Sequence, residues 1–261
     1  MGLIRELGLE PQMSATADDQ ERVFIAQNSE LVVLRTDPVY PLLIDPTQKE
    51  AAEHFGVLRT RLLNARAKSG TRSVLISSPQ KQEGKSFTCL NLAISLAQLE
   101  KGRVLLIDGD LRIRGISGLL GLRGSTGLAD FLQGRTSFES CIRATILPHL
   151  FVVPAGNVAE ESLPALLEGS RWPEFVRKAE QEFGMVIVDS VPASAPIADF
   201  ELLLAACDAA LLIVHLRKTT REALDITVQQ LNDKLLGVIV NNAGPRVSSD
   251  YYSYYGSKKS T

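Results

Sequence analysis

The sequence predicts an α/β protein whose doubly wound, mostly parallel sheet is flanked by helices and forms a single main domain. Three observations carry that reading. Short apolar runs at residues 73–77, 103–107, 150–153, 185–188, 210–214 and 236–240 lack polar alternation, which marks strands buried on both faces. Helical patterns separate the runs, as parallel strands with crossover helices require. The composition is that of a globular chain: 261 residues, 45% hydrophobic and 22% charged, with 19 Gly and 12 Pro.

Charge and cysteine content exclude several classes of function. Lys+Arg 28 against Asp+Glu 30 gives a net charge of −2, so nothing drives binding along a nucleic-acid backbone, and no nucleic-acid partner is expected. Cys89, Cys141 and Cys207 are odd in number and widely spaced, which argues against a disulfide framework or a zinc site and for a reducing compartment. The longest apolar stretch, residues 202–216, is broken by Asp208 and falls short of the roughly 18 residues a membrane span needs. The N-terminus carries Glu6 and no long apolar core, unlike a signal peptide. A cytoplasmic protein is expected.

Along the chain, residues 1–46 hold Pro11, Pro38 and no long period, and are expected to form a poorly packed extension with one short strand at 31–34. Residues 48–67 place Ala51, Ala52, Phe55, Leu58, Leu62 and Leu63 on one helical stripe. The main domain then spans 47–245, and 246–261 is a polar, tyrosine-rich tail.

In a sheet of this kind ligands lie beyond the carboxyl ends of the strands. The first run leads into Ser77-Ser-Pro-Gln-Lys-Gln-Glu-Gly-Lys-Ser, followed by an amphipathic helix. Gly-Lys-Ser alone is a common tripeptide. Between a strand and a helix it is the end of a phosphate-binding loop, with backbone N–H groups and the helix start cradling phosphates. Nucleotide contacts therefore fall on Gln82, Glu83, Gly84, Lys85, Ser86 and Phe87, with Lys85 neutralising charge from a partly exposed position and Ser86 ligating Mg²⁺. Pro79 stands where the full motif has its first glycine.

The second run ends in Asp108-Gly-Asp110, two carboxylates leaving a strand end on one side. They suit a cation bound to phosphates, although Asp-Gly-Asp is also good turn material. The fourth run ends in Asp189, the position that holds Mg²⁺ or its water in phosphate-loop proteins. The sixth ends in Asn241, which either reads an adenine edge or makes a turn. Four of the five tyrosines, Tyr251, Tyr252, Tyr254 and Tyr255, lie in the last eleven residues among Ser, Asp, Gly and Lys. That setting points to recognition or modification rather than to a core.

These elements together resemble the bacterial tyrosine kinases of capsule and exopolysaccharide export, in the form without a fused membrane segment. The resemblance runs from about Asp45 to the C-terminus. It rests on Glu83-Gly-Lys-Ser, Leu105-Leu-Ile-Asp-Gly-Asp-Leu-Arg, Gly127-Leu-Ala-Asp-Phe-Leu-Gln-Gly, Val153-Pro-Ala-Gly, Val186-Ile-Val-Asp, Lys218-Thr-Thr-Arg-Glu-Ala, Leu236-Gly-Val-Ile-Val-Asn and the tyrosine cluster. It implies a P-loop fold and ATP- and Mg²⁺-dependent phosphorylation of tail tyrosines between subunits. Lys85, Asp108 and Asp110 would be catalytic, with Asp110 as base or hydroxyl-positioning residue, and Ser86, Asp108 and Asp189 would hold the metal. It also implies a homo-oligomer, a membrane-anchored polysaccharide co-polymerase or adaptor that recruits the protein to the inner membrane face, and a tyrosine phosphatase.

Two departures from the family pattern carry expectations. Gln82 replaces the loop's inner glycine, at a cost of roughly 1–2 kcal/mol if that residue is left-handed. Glu53 and Arg59 match the family's oligomerisation motif, but Gly56 fills its middle arginine slot, so self-association is expected to be weak. Two alternatives stay open at this point. One is an ATP-binding regulatory homologue without transfer. The other is a partition or septum-site ATPase, disfavoured because Gln80 occupies the place of that group's signature lysine.

Overall fold

A computed structural model describes residues 31–34, 42–99, 102–157, 163–194 and 198–243. Helix α1 (Lys49–Ser69) leads to β1 (Ser73–Ser77) and α2 (Lys85–Ala97), then to β2 (Val104–Asp108), α3 (Gly115–Leu119) and α4 (Leu128–Leu132). β3 (Arg143–Ala144), β4 (Leu150–Val153), α5 (Leu163–Glu168), α6 (Arg171–Glu182) and β5 (Met185–Asp189) follow. The chain continues through α7 (Asp199–Ala206), β6 (Ala209–His215), α8 (Arg221–Leu231) and β7 (Leu235–Asn241). The strands form one sheet in the order β3-β4-β2-β5-β1-β6-β7. Every pairing is parallel except β3 with β4. Each of the six apolar runs is a strand, and the five interior ones, with a helix layer on either side, have no polar face to show. Two residues are too few to leave a periodic signal, so β3 had none in the sequence.

Helices cover both faces, each over its own apolar cluster. One cluster gathers Leu105, Ile107, Val186 and Val188 under Trp172 and Phe175 of α6. The other gathers Val74, Ile76, Leu106 and Ile187 under α2. The amphipathic helix expected after the loop is α2, which instead buries residues all around its circumference, the polar Lys85, Thr88, Asn91 and Ser95 included. α1 buries only Leu62 completely, and lies across α2 by way of Arg59, whose Nη1 donates to Ser95 O (2.8 Å) and Ser95 Oγ (3.1 Å). Arg59 is thus engaged within the subunit. At Gly56 an added Cβ would meet only Arg59 Nη2, at 3.8 Å, so that slot has room for a larger side chain.

Two sequence expectations change. Strand β7 is not buried on both faces: Leu236, Val238 and Val240 are 38%, 46% and 52% exposed, because β7 is an edge strand covered on one side. The described part of the N-terminal extension is packed rather than loose, with Val32, Leu34, Leu42 and Leu43 all buried. The expected strand at 31–34 is a single bridge, Val32 to Thr145, beside β3. The remainder of residues 1–46 and the tyrosine tail lie outside the described residues. Among those described, no helix is long and apolar enough to cross a membrane. The three cysteines are buried, free thiols.

Candidate active site

The loop between β1 and α2 has the geometry of a phosphate cradle. Gln82 and Gly84 both have positive φ, 60° and 95°, so the strain expected at Gln82 is present. Gly84 caps α2 without any side-chain hydrogen bond, leaving the first N–H groups of the helix for an anion. A Cβ on Gly84 would collide with Asn241 Nδ2, so only glycine fits there. Lys85, expected at a partly exposed position, is instead buried at 8% exposure, and its charge acts on Asp110 and Asp189. Phe87 is half-buried in the first turn of α2.

The carboxylates meet at the adjacent ends of β2 and β5, where Asp108 and Asp189 are register partners. Asp189 Oδ2 accepts from Ser86 Oγ at 2.5 Å. Asp108 Oδ2 accepts from Ser117 N (2.7 Å) and Ser117 Oγ (2.6 Å), while its buried Oδ1 has no partner. Burial pushes Asp108 up to about 8 and Asp189 up to about 6, with the Asp189 charge adding to the rise at Asp108 and Lys85 opposing it at Asp189. Burial likewise raises Asp110, against the amides of Ile113 and Arg112 and the charge of Lys85. Two buried carboxylates, one oxygen without a donor and a serine hydroxyl are hard oxygen donors that fit Mg²⁺.

This arrangement sets a pH dependence. Carboxylates raised in the folded chain hold protons that the unfolded chain has lost, so their contribution to stability is full below the ordinary value of 3.8 and is lost as pH rises toward about 8. The nucleotide-free protein is therefore expected to melt at a lower temperature at pH 8 than at pH 5, and Mg²⁺ with nucleotide should narrow that gap. Scanning calorimetry at the two pH values checks this. A melting point that rises from pH 5 to pH 8 would refute it.

Sequence reasoning missed several supporting residues. Ser117 sits only nine positions after Asp108, but no motif marked it. Its hydroxyl also accepts from Ala155 N (2.9 Å), tying Asp108 to the strand end at 153–156. That strand end is in turn clipped to 127–130, where Leu128 N and Ala129 N donate to Pro154 O and Ala155 O. A Cβ on Gly115 would run into Ser86 Oγ, so its lack of a side chain lets α3 approach the loop. Arg112 Nε donates to Asp199 Oδ2 at 2.8 Å, pinning the turn after Asp110 to the start of α7.

Glu83, predicted to touch nucleotide, is fully buried, and its carboxylate accepts from Gln80 N (2.9 Å) and Thr219 Oγ1 (2.5 Å). Its side chain serves the loop rather than a ligand. Asn241 Nδ2 donates to Glu83 O and Asn241 Oδ1 accepts from Asn242 N, both at 2.9 Å, so this amide ties the end of β7 to the loop. Asp110 is 4% exposed and Asp189 0%, so both carboxylates are buried.

No family model matches the chain. It is 34% identical over 212 residues to the tyrosine-protein kinase YwqD of Bacillus subtilis, covering 79% of this chain and 87% of the relative. The kinase domain of VpsO superposes with a TM-score of 0.66 at 27% identity, over 76% of this chain and 98% of that one. The septum-site-determining protein MinD of Pyrococcus horikoshii, complexed with Mg-ADP, shares the fold with a TM-score of 0.56 at 23% identity, over 69% and 76% of the two chains.

Proposed function

The chain belongs to the bacterial tyrosine-protein kinases, and from that premise we propose how its residues divide the transfer of the terminal phosphoryl group of ATP to a tyrosine hydroxyl. The observation that carries this reading is the buried, unpartnered Oδ1 of Asp108, register partner of the Asp189 that accepts from Ser86 in the first turn of α2. Loop amides, the α2 N-terminus and Lys85 bind the phosphates and offset their charge. Ser86, Asp108 and Asp189 would hold Mg²⁺, which when bound neutralises charge on the phosphates. Asp110 accepts the proton of the phenol as its oxygen bonds to phosphorus and ADP departs. A phenol with pKa near 10 needs such a base, and a carboxylate raised by burial is better matched to it than an ordinary one.

The acceptors in this proposal are Tyr251, Tyr252, Tyr254 and Tyr255 of a second subunit, and their phosphorylation regulates exopolysaccharide or capsule synthesis or export. A membrane-anchored co-polymerase or adaptor gathers the subunits at the inner membrane face, and a tyrosine phosphatase resets them. With Gly56 in the oligomer motif, association is weak, so phosphotyrosine formed per subunit should rise steeply with protein concentration. Gly56→Arg should strengthen association and phosphorylation, and changing all four tyrosines to Phe should remove most phosphate uptake. Light scattering and phosphotyrosine detection across a dilution series test this. A flat rate from a protein monomeric throughout would overturn transfer between subunits, and absence of phosphotyrosine with Mg·ATP bound would identify a non-transferring regulatory homologue.

A further inference from the structure

The phosphate loop of this chain lacks the inner glycine and is held from outside by the loop after β6. Lys218 Nζ donates to Lys81 O at 2.9 Å and to Gln82 O at 3.1 Å. The neighbouring Thr219 Oγ1 donates to Glu83 Oε1 and accepts from His215 N (2.9 Å), joining the same loop to the end of β6. We infer that Lys218 is a positioning residue for nucleotide binding, which compensates for Gln82 by fixing the carbonyls of Lys81 and Gln82.

The physical reason lies in the peptide plane. In a trans peptide the C=O and the following N–H point in opposite directions. A cation drawing the Lys81 and Gln82 carbonyls outward therefore turns the N–H groups of Gln82 and Glu83 to the other side of the loop. A phosphate-binding nest needs those groups convergent. With glycine at position 82, the left-handed conformation would come without steric cost. Gln82 at φ 60° needs a restraint, and Lys218 supplies one from 136 positions away. Lys218 is itself exposed and belongs to neither apolar cluster, so its removal leaves the core intact.

This inference rests on the phosphate-loop reading above, and its test separates the two. Mg·ATP binding is measured by calorimetry for the wild type and for Lys218→Met, Lys218→Arg, Gln82→Gly and the Gln82→Gly/Lys218→Met double variant. Lys218→Met should weaken binding about tenfold or more, since two charge-assisted hydrogen bonds to the loop are lost. Lys218→Arg should restore it to within about threefold, because a guanidinium can donate to both carbonyls. On the Gln82→Gly background the Lys218→Met loss should shrink to below about threefold, a non-additivity that a merely structural lysine would not produce. Kinase assays should show the Lys218→Met effect in KM for ATP, with kcat nearly unchanged. Wild-type affinity in Lys218→Met, or an equal loss on both backgrounds, would overturn the inference while leaving the phosphate loop standing. A wild type that does not bind Mg·ATP would overturn both.

Discussion

Lys85→Met is expected to lose Mg·ATP affinity by at least about a hundredfold, or roughly 2.7 kcal/mol, and phosphoryl transfer by about a thousandfold. Lys85 is the first residue of α2 and 8% exposed, and the field of its ammonium group reaches Asp110 and Asp189. In so dry a place a charge is screened little, so its removal is felt fully by a bound triphosphate. The fold should survive. Methionine fills a similar volume, and Asp189, already raised by burial, can take up a proton once the cation is gone. Calorimetry with Mg·ATP, together with circular dichroism of the free variant, checks both halves. Affinity like that of the wild type would mean that the loop does not bind phosphates through Lys85.

Asp110→Asn is expected to keep most of the nucleotide affinity and to lower the rate of transfer by about 10²–10⁴-fold. Asparagine retains an oxygen to accept from Ile113 N, the bond that Asp110 Oδ1 makes at 2.9 Å, so the turn should hold its shape. What it cannot do is accept the phenol proton. Asp189→Asn should act in the opposite way, weakening Mg²⁺-dependent binding by tenfold to a hundredfold, because the carboxylate paired with Ser86 Oγ is lost from the proposed metal site. Isothermal titration with and without Mg²⁺, alongside single-turnover transfer to a tyrosine peptide, distinguishes the two. Equal loss of binding in both variants would show that Asp110 and Asp189 do not divide the work.

The sequence by itself determined six of the seven strands of the described sheet and placed the candidate site residues beyond their carboxyl ends. Uninterrupted apolar runs marked strands, five of the six covered on both faces, and parallel strands bring their carboxyl ends together. Lys85, Ser86, Asp108, Asp110 and Asp189 could therefore be read as one site from three local patterns. Tertiary structure alone decided what holds those groups in place. Thr219 reaches Glu83 across 136 positions and Arg112 reaches Asp199 across 87, and neither pair has a period or spacing that could announce it. Asn241 could read a base or brace a loop by its chemistry, and only the tertiary structure shows its hydrogen bond to Glu83 O. The exposed face of β7 likewise followed from its place at the sheet edge, not from its composition. The physical reason is the same in each case. Burial pattern and backbone preference are local and leave a mark in the order of residues, whereas a side-chain hydrogen bond depends on where two distant segments pack.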